Sequence, residues 1–194
     1  MLANENLTLH PPANHELSDD WFFDFCAANR DLHIERTAHG EILIMAPTGG
    51  ETGYRNSKLS FQLELWNRRT KLGVTFDSST GFRLPNGANR SPDAAWIPNE
   101  WWERLSGEER QRFLPLSPLF AIELRSATDT PSTLRAKMQE YIDNGTELGW
   151  LIDPFERTVE VYRPEAEVTV WQGVQTISAD PILPDFELEL DDIL

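Results

Sequence analysis

A strand–helix–strand succession in the second half of the chain constrains its fold more than any other feature. Residues 118–124 (PLFAIEL) are apolar apart from Glu123, which is typical of a central β-strand buried on both faces. Residues 148–154 (LGWLIDP) form a second run of the same kind. Between the two runs, Thr130 followed by Pro131 supplies a helix N-cap and a proline at the first helical position. These patterns predict a β-sheet covered by at least one helix.

The helix that follows Thr130 is the most clearly specified element. Leu134, Met138 and Tyr141 recur at helical spacing and define a face that should be buried. The dipeptide at 144–145 (NG) is a helix C-terminal signal, because glycine readily adopts the left-handed conformation that ends a helix. The helix is therefore expected to pack one face against the sheet.

The remaining pattern predicts one mixed sheet flanked by helices, that is, an α/β fold. The expected elements are a helix from Ser18 to near Asn29, a hairpin around Gly40 with a core strand at 41–46, a helix between Gly53 and Leu72, strands at 74–78, 81–85 and 93–98, one or two short helices within 99–115, and an antiparallel strand pair at 158–164 and 167–173. At 194 residues, without internal repeats or a linker, residues 18–194 are expected to form a single domain and residues 1–17 an extended arm.

Net charge limits how this chain could bind nucleic acid. The formal charge is −15 and the pI is near 4.6. General affinity for DNA comes mainly from Lys and Arg that neutralise phosphates, so the overall charge cannot hold DNA. Three basic runs, at 67–71, 82–90 and 109–112, could form a local basic edge. Taken alone, each run is more typical of a solvated surface.

The chain is expected to be soluble and cytoplasmic. The single cysteine, Cys26, cannot form an internal disulfide, and no His/Cys cluster has the spacing of a zinc site. The first residues lack the basic and apolar segments of a signal peptide, and no later segment approaches the length of a membrane span.

Three side chains stand out because they are polar where the pattern calls for apolar or neutral residues. Asp93 opens a predicted strand, Glu123 interrupts a buried one, and Lys137 lies on the helix that follows. Lys137 comes three residues after Leu134 and four before Tyr141, so its stem should point toward the sheet. Two neighbouring strands and the succeeding helix could bring the three residues together.

The chemistry of these groups indicates a metal site. Two carboxylates on adjacent strands raise one another's pKa in a buried setting, and a divalent cation between them removes that conflict. Oxygen ligands without nearby His or Cys select a hard ion, so Asp93 and Glu123 are candidate ligands of Mg²⁺ or Mn²⁺. Such an ion lowers the pKa of water and shields a phosphate, while the Lys137 ammonium offsets charge in the transition state. The set therefore points to phosphodiester hydrolysis.

Each of these residues also has a structural interpretation. An Asp after Pro is often a turn or cap residue, and a helical Lys more often extends to solvent. A buried Glu could pair with an arginine such as Arg83 or Arg135. Taken singly, the structural interpretation is favoured for Asp93 and Lys137, and the two interpretations are even for Glu123.

The strings around these residues resemble the motifs of a known family. The resemblance is carried by RSPDAAWIP (90–98), AIELRSATDT (121–130), LRAKMQEYIDNGTELGWLIDP (134–154), GEILIMAPTGG (40–50) and LPDFELELDDIL (183–194). The family is the Uma-type group of restriction-endonuclease-like proteins, a domain of unknown function in the PD-(D/E)XK nuclease superfamily. The likeness covers about residues 18–194 and implies a restriction-endonuclease-like core with extra β-hairpins.

Carried over residue by residue, the family's two metal-binding acids correspond to Asp93 and Glu123. Its catalytic lysine, which lies on the helix after the acidic strand, corresponds to Lys137. Two positions depart from the pattern. The superfamily's usual lysine position, two after the acid, holds Arg125, which cannot lose its proton. Residues 49–51 (GGE) stand where many relatives carry a His.

The resemblance implies an endonuclease that uses Mg²⁺ or Mn²⁺ and acts on DNA. A homodimer is expected, because cutting both strands of a duplex favours a two-fold arrangement. Glu35, Glu41 and Glu51 could each supply a further acidic ligand, although structural roles are favoured for all three. Two alternatives stay open: a non-enzymatic interaction module that keeps the nuclease fold, favoured by the acidic charge and Arg125, and a toxin-like or defence component that acts on RNA.

Overall fold

The computed structural model describes residues 7–12 and 17–194. Within the N-terminal arm, Leu7–Leu9 form a short strand, β1. The rest of the arm, residues 1–6 and 13–16, lies outside the described residues. None of the helices in the described ranges is both long enough and apolar enough to cross a membrane.

The described residues form the mixed α/β arrangement that the sequence predicts. The helices are α1 (Asp19–Ala28), α2 (Gly50–Thr70), α3 (Asn99–Arg104) and α4 (Pro131–Asp143), with a single 3₁₀ turn at Glu109–Gln111. The strands after β1 are β2 (His33–Arg36), β3 (Ile42–Met45), β4 (Gly73–Asp77), β5 (Phe82–Arg83), β6 (Asn89–Arg90), β7 (Ala94–Pro98), β8 (Phe120–Leu124), β9 (Leu148–Asp153), β10 (Thr158–Tyr162), β11 (Thr169–Gln172), β12 (Thr176–Ser178) and β13 (Glu187–Glu189).

The main sheet has six strands in the order β11-β10-β9-β8-β7-β4. Its centre is the pair β8 and β9, which run parallel and are joined by α4. The other neighbouring pairs in this sheet are antiparallel. The two apolar runs that dominate the sequence pattern therefore lie side by side in the middle of the sheet, where both faces are covered.

The two faces of β8 bury different kinds of side chain. Phe120, Ile122 and Leu124 point to the face covered by α2 and by the C-terminal segment. On that face Trp66 of α2 is fully buried, and burial of one large apolar side chain stabilises the fold by about 1.5–3 kcal/mol. The alternate residues, including Glu123, point to the face covered by α4.

Helix α4 begins and packs as its sequence predicts. The Thr130 side chain accepts a hydrogen bond from the backbone N–H of Thr133 at 3.4 Å, and Pro131 is the first helical residue. The predicted apolar face is buried against the sheet at Leu134, Met138, Tyr141 and Ile142. That packing fixes which way the remaining residues of α4 point.

A second sheet, in the order β1-β3-β2-β6-β5, carries the N-terminal hairpin. Strand β2 joins β6 at the register Arg36 opposite Asn89. This pairing ties the hairpin to residues 89–90, which lie only a few positions before β7. Glu35 of β2 is consequently brought to the same end of β7 as Asp93.

The segment 81–85 differs from the strand that its pattern predicts. Only Phe82–Arg83 are extended as β5, and they pair with β6 in the second sheet rather than joining the main one. The chain turns back at once, with the Leu84 N–H donating to the Ala88 carbonyl at 2.8 Å and Gly87 at a φ of +89°. Glycine adopts that φ without steric cost, so the turn is encoded locally although the pairing partner is not.

Candidate functional site

Asp93 lies at the start of β7, beside Glu123 of β8. In the antiparallel pairing of these strands Ala94 is opposite Ile122, and continuing the register by one residue places Asp93 opposite Glu123. Asp93 Oδ2 accepts a hydrogen bond from the backbone N–H of Leu124 at 2.8 Å, which fixes the carboxylate against β8. Burial raises the pKa of Asp93 above its usual value.

Lys137 reaches the same point from helix α4. Its Nζ lies 2.9 Å from Glu123 Oε1 and 2.8 Å from Glu35 Oε1. The side chain is only 12% exposed, so the stem does not extend to solvent as a typical helical lysine does. The structure thus brings together Asp93, Glu123 and Lys137, and adds Glu35 as a third acid.

Glu35 is held by three donors. Besides Lys137, the Arg90 guanidinium donates to Glu35 Oε2 at 3.1 Å and the Ser91 backbone N–H donates to Oε1 at 2.9 Å. Burial alone would raise the pKa of Glu35, but Lys137 and Arg90 outweigh it and hold this pKa at about 2. Glu35 therefore stays ionised and keeps the Lys137 ammonium beside Glu123.

Glu123 is in a different electrostatic state from Glu35. The Tyr141 hydroxyl donates to Glu123 Oε1 at 3.0 Å. Burial raises the pKa of Glu123 to about 8; Lys137 opposes that rise, while Asp93 and Glu35 add to it. We call the set Glu35, Asp93, Glu123, Lys137 and Tyr141 the acidic site.

Carboxylates outnumber cations at the acidic site. Its three carboxylates face the Lys137 ammonium and one guanidinium, that of Arg90. Arg90 is shared, because its Nε also donates to Glu140 at 2.6 Å. Four carboxylates thus stand against two cations, and a buried surplus of negative charge favours either a bound proton or a bound cation.

The donor atoms suit a hard divalent cation. Within residues 7–12 and 17–194, no group of three or more His, Cys, Asp or Glu side chains is arranged to hold a metal ion. Mg²⁺ does not need such a group, since it commonly binds through one or two carboxylates and retains several waters. Beside Asp93, moreover, Asn56 Oδ1 is buried and accepts no hydrogen bond from the described residues. Two carboxylates and a spare amide oxygen fit Mg²⁺ or Mn²⁺.

The structural interpretation of Glu123, a buried ion pair with Arg83 or Arg135, does not hold. Arg83 pairs with Asp19, and Arg135 pairs with Glu160, so neither of the two arginines named as candidates pairs with Glu123.

The other positions singled out in the sequence lie outside the acidic site. Arg125 Nη1 bonds to Asp153 Oδ2 at 2.7 Å and its guanidinium covers the Phe155 ring. Glu41 contacts His10, and Glu51 is an exposed partner of Arg55.

The predicted basic edge is largely engaged in contacts within the chain. In the run 82–90, Arg83 binds Asp19 and Arg90 binds Glu35 and Glu140. In the run 109–112, Arg110 covers the Trp102 ring and Arg112 binds Asp20. In the run 67–71, Arg68 pairs with Glu64 one turn earlier. Most of these cations stabilise the fold's own acids and aromatic rings.

Two residues of the acidic site, Glu35 and Tyr141, and the neighbouring Asn56 carried little sequence signal. Glu35 and Asn56 lie 102 and 37 residues from the partners they contact, Lys137 and Asp93. Tyr141 belongs to the apolar face of α4, so its pattern indicates core and conceals the hydroxyl that reaches Glu123. Glu35 is one of the three glutamates named from the sequence as possible further ligands, although the sequence favours a structural role for each of them.

The mixed sheet flanked by helices is the restriction-endonuclease-like fold that the resemblance implies, and the two acids and the lysine lie on the elements expected from it. The family model described as "Putative restriction endonuclease" matches residues 19–191. The chain belongs to this family, Uma2.

A crystal structure of a "putative nuclease belonging to DUF820" from Anabaena variabilis has the same fold. It superimposes with a TM-score of 0.69 at 21% sequence identity, over 82% of this chain and 88% of that one. At this identity the likeness establishes the fold. No curated protein matches this chain in sequence.

Proposed function

We propose that this protein is a nuclease that hydrolyses phosphodiester bonds in DNA and depends on Mg²⁺ or Mn²⁺. Asp93 and Glu123 hold the cation, and Lys137 assists the reaction. The observation that carries the proposal is the position of the Lys137 ammonium, 2.9 Å from a buried carboxylate that neighbours a second one. Membership of a restriction-endonuclease family supports the same reaction class.

Lys137 acts in this proposal as a permanent positive charge. Burial alone would lower the pKa of Lys137, but Glu123 and Glu35 raise it above the usual value. A protonated amine cannot serve as the general base, so its role is to orient the phosphate and offset the charge that develops on it. When bound, the cation supplies Lewis-acid polarisation of the phosphate and a lower pKa for water.

Glu123 links cation binding to pH. With its pKa at about 8, the side chain is mostly protonated at neutral pH in the cation-free protein. A cation must displace that proton, because only the carboxylate is a good ligand. Affinity for Mn²⁺ should therefore increase as the pH rises toward 8 and then level off.

A cleavage assay tests the proposal directly. Purified protein is incubated with Mg²⁺ or Mn²⁺ and with supercoiled, linear or single-stranded DNA, next to the variant Glu123→Ala. Cutting by the unaltered chain and not by the variant is expected. If the unaltered chain cuts none of these DNAs, or if the variant cuts equally well, the proposed reaction is wrong. RNA in parallel reactions decides between the two nucleic acids.

A catalytically silent interaction module is the second candidate. It is favoured by the net charge of −15 and by the engagement of most arginines of the basic runs within the chain. Calorimetry with Mn²⁺ separates the candidates, because a module without a cation site gives no binding heat that depends on Asp93.

Two further expectations remain predictions. A homodimer would place two acidic sites on the two strands of a duplex, and sedimentation velocity across a range of protein concentrations tests it.

A cytoplasmic location is expected from the single cysteine, since a reducing compartment leaves Cys26 as a free thiol. Fractionation of cells that express the chain tests the location.

A further inference from the structure

Two asparagines on helix α2 face the main sheet, but only one has its carbonyl oxygen satisfied. Asn67 Oδ1 accepts hydrogen bonds from Trp96 Nε1 at 3.1 Å and from the Gly73 N–H at 3.2 Å. Asn56 lies eleven residues earlier, three helical turns away on the same side. Its Nδ2 donates to Asp93 Oδ1 at 2.8 Å, yet its Oδ1 is buried and accepts nothing from the described residues.

The orientation of the Asn56 amide is set by Asp93. If the amide were turned over, its carbonyl oxygen would face the Asp93 carboxylate, and two acceptors would repel each other. The Nδ2 group must therefore face Asp93, which leaves the buried Oδ1 without a donor among the described residues. A buried carbonyl without a donor is uncommon in folded proteins and calls for a physical reason.

We propose that Asn56 Oδ1 is a third protein ligand of the divalent cation held by Asp93 and Glu123. The inference rests on the proposed function, because it concerns the same cation. An amide carbonyl is a hard oxygen ligand of the kind that Mg²⁺ and Mn²⁺ accept. Being neutral, it adds a ligand without adding charge to a site where carboxylates already outnumber cations.

Asn56 would also position Asp93 before the cation arrives. Asp93 receives one hydrogen bond on each oxygen, from Asn56 on Oδ1 and from the Leu124 N–H on Oδ2. Each carboxylate oxygen retains a second lone pair, so these contacts hold the group without consuming its capacity to bind metal. One side chain therefore orients the first ligand and supplies another.

Calorimetric titration with Mn²⁺ tests the inference without relying on catalysis. Asn56→Ala should weaken Mn²⁺ binding about tenfold to a hundredfold. Asn67→Ala is the matched control on the same helix: it should lower the melting temperature, because it removes two hydrogen bonds, and leave the Mn²⁺ affinity of the folded protein unchanged.

Asn56→Asp separates a ligand from a positioning residue. An ionised aspartate keeps an oxygen at this position but cannot donate to Asp93, so Mn²⁺ binding at least as tight as that of the unaltered chain supports the ligand role. Binding as weak as that of Asn56→Ala overturns it, and so does unchanged binding by Asn56→Ala. Either of these two outcomes overturns only the role of Asn56, provided that the unaltered chain binds Mn²⁺ and Glu123→Gln does not. If the unaltered chain binds no Mn²⁺, the proposed function itself fails.

Discussion

Helix α4 builds two polar triads against the sheet, each made of a helix cation, a strand glutamate and a tyrosine hydroxyl. The inner triad is Lys137, Glu123 and Tyr141, and the outer triad is Arg135, Glu160 and Tyr162. Both glutamates are buried. Each triad thus offers a cation, a carboxyl group and a phenol in the same layer of the fold.

The triads differ in solvent access and in charge balance. The Arg135 side chain is 57% exposed and binds Glu160 through two of its nitrogens, which is a charge-balanced ion pair. The Lys137 side chain is only 12% exposed and lies between Glu123 and Glu35, with Asp93 on the neighbouring strand. A helix cation on a strand glutamate is therefore not in itself a candidate site. The inner triad differs from the outer one because several carboxyl groups, rather than one, surround its cation.

Exchange of the glutamates should give the largest contrast between the triads. Glu123→Gln removes a cation ligand, and the loss of about 4 kcal/mol of transition-state stabilisation would lower the DNA cleavage rate about a thousandfold. Glu160→Gln should leave the rate unchanged and lower the free energy of unfolding by about 1–3 kcal/mol, because it weakens the bonds to Arg135 and Tyr162. Cleavage assays and urea denaturation measure the two effects. Equal loss of cleavage in both variants would mean that the triads do not differ in function.

Exchange of the cations should give the next largest contrast. Lys137→Met should slow cleavage about a hundredfold, because it removes a positive charge aimed at the phosphate. Arg135→Met should not slow cleavage and should lower the free energy of unfolding by about 1–3 kcal/mol, because the buried Glu160 loses its charged partner. Lys137→Arg restores the charge but not the compact ammonium, so it should recover part of the rate. Wild-type cleavage by Lys137→Met would remove this residue from the mechanism.

The two buried acids of the acidic site should give opposite pH dependences of stability. The folded-state pKa of Glu123 is raised from 4.5 to about 8, so its contribution to stability is present below pH 4.5 and is lost as the pH rises to about 8. The folded-state pKa of Glu35 is lowered from 4.5 to about 2, so its contribution is present above pH 4.5 and is lost as the pH falls to about 2.

Urea denaturation of the cation-free protein at a series of pH values measures these contributions. Glu123→Gln should remove the contribution of Glu123 to the decline between pH 4.5 and 8, whose slope is at most about 1.4 kcal/mol per pH unit, and should leave the smaller decline that the raised pKa of Asp93 gives. Glu35→Gln should abolish the decline in acid. Glu160→Gln is the control and should retain both. A Glu123→Gln profile that superimposes on the wild type would show that Glu123 does not titrate in this range.

Sequence patterns predicted the parts of the molecule that are specified locally. Helix α4 has its cap, its proline and its apolar face within fourteen consecutive residues, and β8 and β9 are apolar without interruption by turns. The resemblance to the family also indicated Asp93, Glu123 and Lys137, which the structure brings together.

The remaining parts depend on pairing between distant segments. Segment 81–85 joins the second sheet because β6 is available there, and the strand pattern of 81–85 does not encode that choice. Glu35 enters the acidic site because β2 pairs with β6, and Asn56 reaches Asp93 because α2 packs beside β7. Contacts of this kind are set by tertiary packing, which a periodic pattern in one segment does not encode.

The tyrosines should give the smallest and most selective contrast. Tyr141→Phe removes a donor from the ionised form of Glu123, which raises the pKa of Glu123 further and makes its proton harder to displace. Loss of one such bond, about 1 kcal/mol, should weaken Mn²⁺ binding about fivefold at pH 7. At pH 9.5 or above, the difference should shrink because Glu123 is largely ionised in both proteins. Tyr162→Phe should cost a similar amount of stability and leave Mn²⁺ affinity unchanged at every pH, since its hydroxyl serves Glu160. Calorimetry at the two pH values compares the Mn²⁺ affinity of Tyr141→Phe with that of the unaltered chain. A fivefold difference that persists at high pH would show that Tyr141 affects cation binding in some way other than through the protonation of Glu123.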